Sequence, residues 1–204
     1  MKLTSETKLF LGIIVATIGL IAGAVFLFSK PTPTLPREEL VTTGPKRGNP
    51  DASVYLVEFS DFQCPGCAAF APVVNQIVEK HKDKLLFVYR HFPLDQHTYA
   101  MKAAIAAEAA AQQGMFWEMA DLLFANQTKL SDELILQFAQ SLQLDQSQFV
   151  QSLNDAAIKQ KVEADRAYGL SIGINSTPTF FLNGKKLNVT SFDDLKKEVE
   201  KAIQ

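Results

Sequence analysis

The tightest constraint on what this chain can fold into is a pair of short apolar runs separated by one helix-length segment. Val54-Tyr55-Leu56-Val57-Glu58-Phe59 is rich in β-branched and aromatic residues and reads as a buried strand. Leu85-Leu86-Phe87-Val88-Tyr89-Arg90 reads the same way and is closed by Phe92-Pro93. Between them a helix is expected from about Pro65 to Lys82. Proline is tolerated in a first turn because its missing N–H would be unpaired there anyway. Pro72, inside the same helix, should kink it. Strand, helix and strand in this order form a βαβ unit, which implies parallel pairing and a right-handed crossover.

From Thr98 to about Tyr168 the pattern is almost wholly helical. An Ala-rich helix is expected over Tyr99 to Gln113, another over Met115 to Asn126, and a third started by Ser131 and Asp132. Two further pieces follow, from about Asp145 to Leu153 and from Asp155 to Tyr168. This reads as a helical insertion, about residues 95–168, within an α/β frame. Strand character returns at Thr179-Phe180-Phe181-Leu182, turns at Asn183-Gly184 and resumes near Leu187 to Val189, since Asn-Gly between β-like runs signals a hairpin. The last helix begins at Ser191, with Asp194 three residues on as a capping-box-like partner.

The amino-terminal part differs. Leu9 to Phe28 carries no charge and is long enough to cross a hydrocarbon core of roughly 30 Å. The apolar region of a cleavable signal peptide would be about 7–15 residues. Here the run continues past Ala22-Gly23-Ala24 through Val25-Phe26-Leu27-Phe28, so an uncleaved anchor is the reading we adopt. Lys2 and Lys8 precede the run, which favours a cytoplasmic tail at residues 1–8 and a catalytic domain on the extracytoplasmic face of a bacterial cytoplasmic membrane. Gly19-x-x-x-Gly23 has a helix-dimerisation spacing, but glycine is ordinary in membrane helices and a monomer is expected. Residues 29–50 carry five prolines and read as a semi-rigid linker; the competing reading is an extra strand around Glu39 to Thr43. The globular domain is then residues 51–204.

With 204 residues and a formal net charge of -2, the chain offers no basic face for nucleic acid. Both of its 2 cysteines lie in one tetrapeptide, Cys64-Pro65-Gly66-Cys67. They have no partner for a separate structural disulfide, and the second half of a zinc site is missing. The pair follows the first strand almost at once, where a helix begins. Cys64 at that start faces unpaired N–H groups and the positive end of the helix dipole, which should lower its pKa from about 8.5 to roughly 3.5–7.5. Cys67, one turn on, is within bonding reach. Cys64 is therefore the expected nucleophile and Cys67 the resolving thiol. No cofactor or metal is expected beyond this redox-active pair. Glu58, a charge in an apolar strand, is either a buried proton relay to Cys67 or the cap of an exposed strand end. Thr177-Pro178, just before a strand, suits a cis peptide bond without requiring one.

These motifs together resemble the DsbA-type branch of the thioredoxin superfamily over about Asp51 to Gln204. The resemblance is carried by the run from Val57 through Ser60-Asp61-Phe62-Gln63 to Cys67. It extends to Arg90-His91-Phe92-Pro93-Leu94 with His97, to Gly114-x-Phe116-Trp117-Glu118-Met119 and to Ser176-Thr177-Pro178-Thr179-Phe180. It implies a thioredoxin fold with an inserted helical domain, a cis-Pro at Pro178 facing the cysteines, and Thr177 offering backbone hydrogen bonds to an extended substrate. It implies that Glu58 is the family's buried acid. It further implies reduced extracytoplasmic proteins as substrates and a quinone-coupled membrane reoxidant of the DsbB or VKOR type. The best-known DsbA oxidants carry His between the cysteines, whereas this chain has Pro65-Gly66, so a milder oxidant is expected. Two alternatives stay open: a membrane-tethered reductase or isomerase fed by a transmembrane electron carrier, and a non-catalytic binding protein for unfolded chains.

Overall fold

β2 (Val54–Ser60) is buried along its whole length, and the sheet is assembled around it. The computed structural model describes residues 5–28 and 34–204. On one side β2 pairs in parallel with β3 (Leu85–His91), joined by the crossover helix α3 (Pro65–Lys80). On the other it pairs antiparallel with β4 (Thr179–Leu182). β1 (Lys46–Gly48) and β5 (Lys185–Lys186) are short polar edges, giving the order β1-β3-β2-β4-β5. Short charged edges discourage pairing with another chain.

Side chains on a strand alternate between faces. Val54 and Leu56 therefore join a core with Phe62, Ala107, Met119 and Leu195, while Tyr55, Val57 and Phe59 join a second with Leu40, Phe92 and Ile174. By the same period Glu58 points to the first face, beneath α3. The helices between β3 and β4 are α4 (Ala100–Ala111), α5 (Phe116–Ala125), α6 (Asp132–Ser141), α7 (Gln146–Leu153) and α8 (Ala156–Ser171). Alanine makes α4 both a strong helix former and a thin one, so Ala103, Ala106, Ala107, Ala109 and Ala110 are all buried. Side-chain caps start the later helices: Ser131 accepts from Leu134 N, Asp145 from Gln148 N and Asp155 from Ala157 N. α9 (Phe192–Ile203) opens on Ser191, which accepts from Asp194 N, while Asp194 accepts in return from Thr190.

One buried ion pair and one buried hydrogen bond fasten the insertion to the end of β3. Arg90 Nε lies 2.7 Å from Asp165 of α8, whose other oxygen accepts from His91 N. His91 Nε2 lies 3.0 Å from Glu108 of α4, which also binds Lys161 at 2.6 Å.

The chain divides into one unit up to Pro33 and a second from Thr34 to the carboxyl terminus. This corrects the expected linker at residues 29–50 and the expected domain start at 51. Of that stretch, 29–33 lie outside the described residues, and the remainder is folded. α2 (Arg37–Val41) buries Leu40 in the second core, and β1 pairs antiparallel with β3. The extra strand is thus Lys46–Gly48, and the region around Glu39 is helical; so short and polar a strand has no apolar alternation to announce it. The second correction is β5, which begins at Lys185 and not near Leu187. Asn183 (φ 49) and Gly184 (φ 83) form a two-residue turn with both φ values positive, so pairing resumes at once, with Lys185 opposite Leu182.

In the amino-terminal unit, α1 spans Ser5–Phe28 and the side chains described for it are those of residues 10–23, all exposed. Among the described residues no helix is long and apolar enough to cross a membrane. The expected anchor, Leu9–Phe28, reaches past the side chains described at both ends, and the whole of the expected tail at 1–8 lies outside them too.

Candidate active site

Cys64 is the N-cap residue of α3, in extended conformation, and Pro65 and Gly66 fill the first turn. Because proline has no N–H, the free donors at this helix start belong to Gly66 and Cys67. Both cysteines are free thiols and buried. The Cys64 thiol is pulled down to about 5, foremost by a hydrogen bond from the Cys67 thiol, working against burial. The N–H groups of Cys67 and Gly66 add to this preference for thiolate. Cys67 is pushed well above the ordinary thiol range by burial, then by its bond to Cys64 and by the charge on Glu58. One sulfur is thus prepared as thiolate and the other as thiol.

Opposite the pair, Thr177–Pro178 is a cis peptide bond. The Thr177 carbonyl lies 3.3 Å from Cys64 Sγ, and its hydroxyl is buried with no hydrogen-bond partner. Pro178 sits so close that a Cβ on Gly66 would come within 3.1 Å of its Cδ and 3.6 Å of Cys64 Sγ. A larger residue at 66 would push on the proline loop.

Below the pair lies Glu58, buried in mid-strand and not at an exposed strand end. Burial raises its carboxyl to about 7, with the Ser60 hydroxyl pulling it back partway and the Cys64 charge pushing it up. Glu58 is directly opposite Tyr89 in the β2–β3 ladder, and the buried Tyr89 hydroxyl has no hydrogen-bond partner. A cavity of about 20 Å³ adjoins both, lined also by Asn75, Trp117 and Asp121. That is room for one water. The arrangement can therefore accept, store and release one proton beneath Cys67. Among the described residues, no cluster of three or more acidic, His or Cys side chains could hold a metal.

Three residues with site contacts carried no assigned role in the sequence reading. The Asp61 carboxylate, with a fully buried side chain, accepts from Gln63 N at 2.7 Å, Leu94 N at 2.8 Å and His97 Nδ1 at 2.7 Å. It ties the loop after β3 to the loop before Cys64. Gln63 accepts from Tyr99 N and donates to the Gln127 carbonyl. Gln127, just after α5, donates to the Phe62 and Cys64 carbonyls. Asp61 and Gln63 could have been found as the polar residues of a loop entering a helix. Gln127 left no signal, because only the folded insertion brings it near.

A family model described as Thioredoxin matches residues 41–201. The chain belongs to that family. Among solved structures, it is similar to the thiol-disulfide exchange protein alpha-DsbA2 from Wolbachia pipientis, with a TM-score of 0.73 and 24% identity over 81% of this chain and 91% of that one. A thioredoxin-like oxidoreductase from Silicibacter pomeroyi matches with a TM-score of 0.71 and 26% identity over 82% and 98%. Oxidised BdbD from Bacillus subtilis matches with a TM-score of 0.70 and 23% identity over 84% and 97%. Its structural neighbours are thus DsbA-type oxidoreductases, which work with a cysteine pair and need no cofactor. Among curated proteins, a Na(+)/H(+) antiporter NhaA 3 from Salinispora tropica is 41% identical over 141 residues, 69% of this chain and 22% of that protein. The corresponding NhaA 1 from Mycolicibacterium gilvum is 39% identical over 143 residues, 69% and 23%. The chain spans under a quarter of the length of these relatives.

Proposed function

We propose that this protein is a membrane-tethered thiol–disulfide oxidoreductase that introduces disulfides into secreted or cell-surface proteins. In the reaction a substrate thiolate attacks Cys64 Sγ of the oxidised pair, forming a mixed disulfide and releasing Cys67 as thiolate. Cys67 takes a proton, for which Glu58 is the nearest buried acid. A second substrate thiolate then attacks the substrate sulfur and expels Cys64 as thiolate. Two electrons have passed to the Cys64–Cys67 pair. A quinone-coupled membrane partner of the DsbB or VKOR type takes them away and restores the disulfide. Thr177 and Pro178 line the position of an incoming extended chain.

The observation that carries this reading is the asymmetry of the two sulfurs. A thiol of low pKa is the better leaving group, so the second step runs toward released Cys64 and oxidised substrate. A reductase such as thioredoxin shares the order of the two thiols but lowers the first only to about 7, so it is the depth of the Cys64 depression that favours the oxidase. The charge-free run from Leu9 to Phe28 supports the tether, and the similarity to one portion of antiporter chains supports work beside a membrane.

The test is oxidation of a reduced, unfolded model protein by the full chain, with Cys64→Ser as the inactive control. Failure to oxidise it, or an equilibrium potential near the thioredoxin value of about -270 mV, removes the oxidase. Binding of the unfolded chain that is undiminished in Cys64→Ser, with no oxidation by the unmodified protein, would point to a binding protein.

A further inference from the structure

Besides the Cys67 thiol, the N–H groups of Gly66 and Cys67 favour the Cys64 thiolate, and their reach to the sulfur depends on the backbone entering the helix. Asp61 to Cys64 form a turn, closed by Cys64 N donating to Asp61 O at 3.0 Å, and Cys64 itself, with φ -77 and ψ 119, is the step from that turn into the helix. The carbonyls of Phe62 and Cys64, on either side of Gln63, are both met by one nitrogen, Gln127 Nε2, at 3.3 and 3.1 Å. A primary amide has two N–H donors on one nitrogen, which suits two neighbouring acceptors. Gln63, the residue between them, returns a bond from its own amide to the Gln127 carbonyl at 3.3 Å. The Cys64 carbonyl also accepts the first bond within the helix, from Ala68 N at 3.1 Å. Gln127 therefore grips the peptide unit at which the turn becomes helix, on the residue that carries the reacting sulfur.

We propose that Gln127 is a positioning residue for Cys64. Its amide, supplied by the helical insertion, fixes the Asp61–Cys64 turn through the Phe62 and Cys64 carbonyls so that the sulfur lies at the open helix end. The insertion then has a part in the thiol chemistry besides packing on the sheet. Charged and titratable groups facing Cys64 are Cys67 on α3 and Glu58 on β2. Asp61 lies in the entering loop with its partner His97. Gln127 adds no charge to this set, so it acts through geometry alone. This inference rests on the thiolate at Cys64 in the proposed function.

The experiment is the rate of Cys64 alkylation by iodoacetamide against pH, in the reduced full-length protein. Gln127→Met keeps the length and loses both donors. Its midpoint is expected to rise by about one pH unit or more, so that alkylation near the wild-type midpoint falls roughly five-fold while the rate well above it is unchanged. Gln113→Met is the matched control. Gln113 bridges two helices of the same insertion, donating to Asp145 O at 3.2 Å and accepting from Asp145 N at 2.8 Å. Its loss weakens the insertion and is expected to leave the Cys64 midpoint in place. Gln127→Asn keeps the two donors on an arm one methylene shorter and serves if Gln127→Met does not fold; its midpoint is expected to rise by a smaller step. A wild-type midpoint in the Gln127 variants, or an equal shift in Gln113→Met, overturns the proposal. An ordinary thiol midpoint in the unmodified protein instead removes the thiolate on which the proposed function stands.

Discussion

The depressed Cys64 pKa has a thermodynamic consequence that can be measured without any substrate. A pKa lowered to about 5 favours the deprotonated form of the reduced protein, and the gain is present above that pKa and lost as pH falls through it. At neutral pH the gain over an ordinary thiol is about two pH units, or roughly 2.7 kcal/mol. Cys64 is buried near the surface and only partly enclosed by protein, so solvent screens part of the effect and about 2 kcal/mol is a fair figure. Stabilising the dithiol form raises the potential, and at about 30 mV per 1.4 kcal/mol the rise is roughly 40 mV. That moves the couple from the thioredoxin value toward the DsbA value but covers under a third of the roughly 150 mV between them. The perturbation is pH itself, and the assay is equilibration with glutathione buffers of known ratio across acid to neutral pH, read by trapping free thiols. Below the Cys64 pKa the two-electron couple takes up two protons, and above it one, so the slope should fall from about 60 to about 30 mV per pH unit. The break is expected near pH 5. A slope that stays near 60 mV up to neutral pH would refute the thiolate and the leaving-group argument built on it.

Glu58→Gln should stabilise the protein at alkaline but not at acid pH. The Glu58 carboxyl is raised from 4.5 to about 7, so its favourable protonated form is complete below the unfolded value and is lost as pH rises through the folded one. The shift corresponds to about 3 kcal/mol regained by the amide above pH 7, measured by denaturant unfolding, and an equal difference at both ends of the range would count against the burial argument. Asp165→Ala leaves Arg90 buried without its carboxylate and removes the acceptor of His91 N, so a loss of about 3–5 kcal/mol is expected in the same assay. A loss within the range of an exposed ion pair would show that water reaches Arg90.

The parts of this fold that were readable from sequence are those whose signal is local. The two parallel strands are apolar because both faces are covered, and the later helices carry their caps at Ser131, Asp145, Asp155 and Ser191. What could not be read depends on partners distant along the chain. β1 is a strand only because β3 offers an unpaired edge, and nothing in Lys46-Arg47-Gly48 records that. Arg90 and His91 stand at the end of an apolar strand, where Arg90 demands a buried counter-charge and His91 a hydrogen-bond partner. Glu108, the one acid in an alanine run, was a readable candidate, whereas Asp165 lies among the several charges of α8 and was not. The candidate site divides the same way. Cys64, Cys67 and Glu58 are placed by one βαβ unit, so the pair was legible from its spacing, while Glu58 kept two readings until its burial in mid-strand decided between them. Gln127, 63 positions beyond Cys64, enters only when the insertion has folded back over the loop. A site built from one local unit and steadied by a remote one shows its reacting atoms in the sequence and hides what holds them. That is why the tetrapeptide announces thiol chemistry plainly, while the properties that tune it, such as the thiolate geometry at Cys64, must be sought in residues like Gln127.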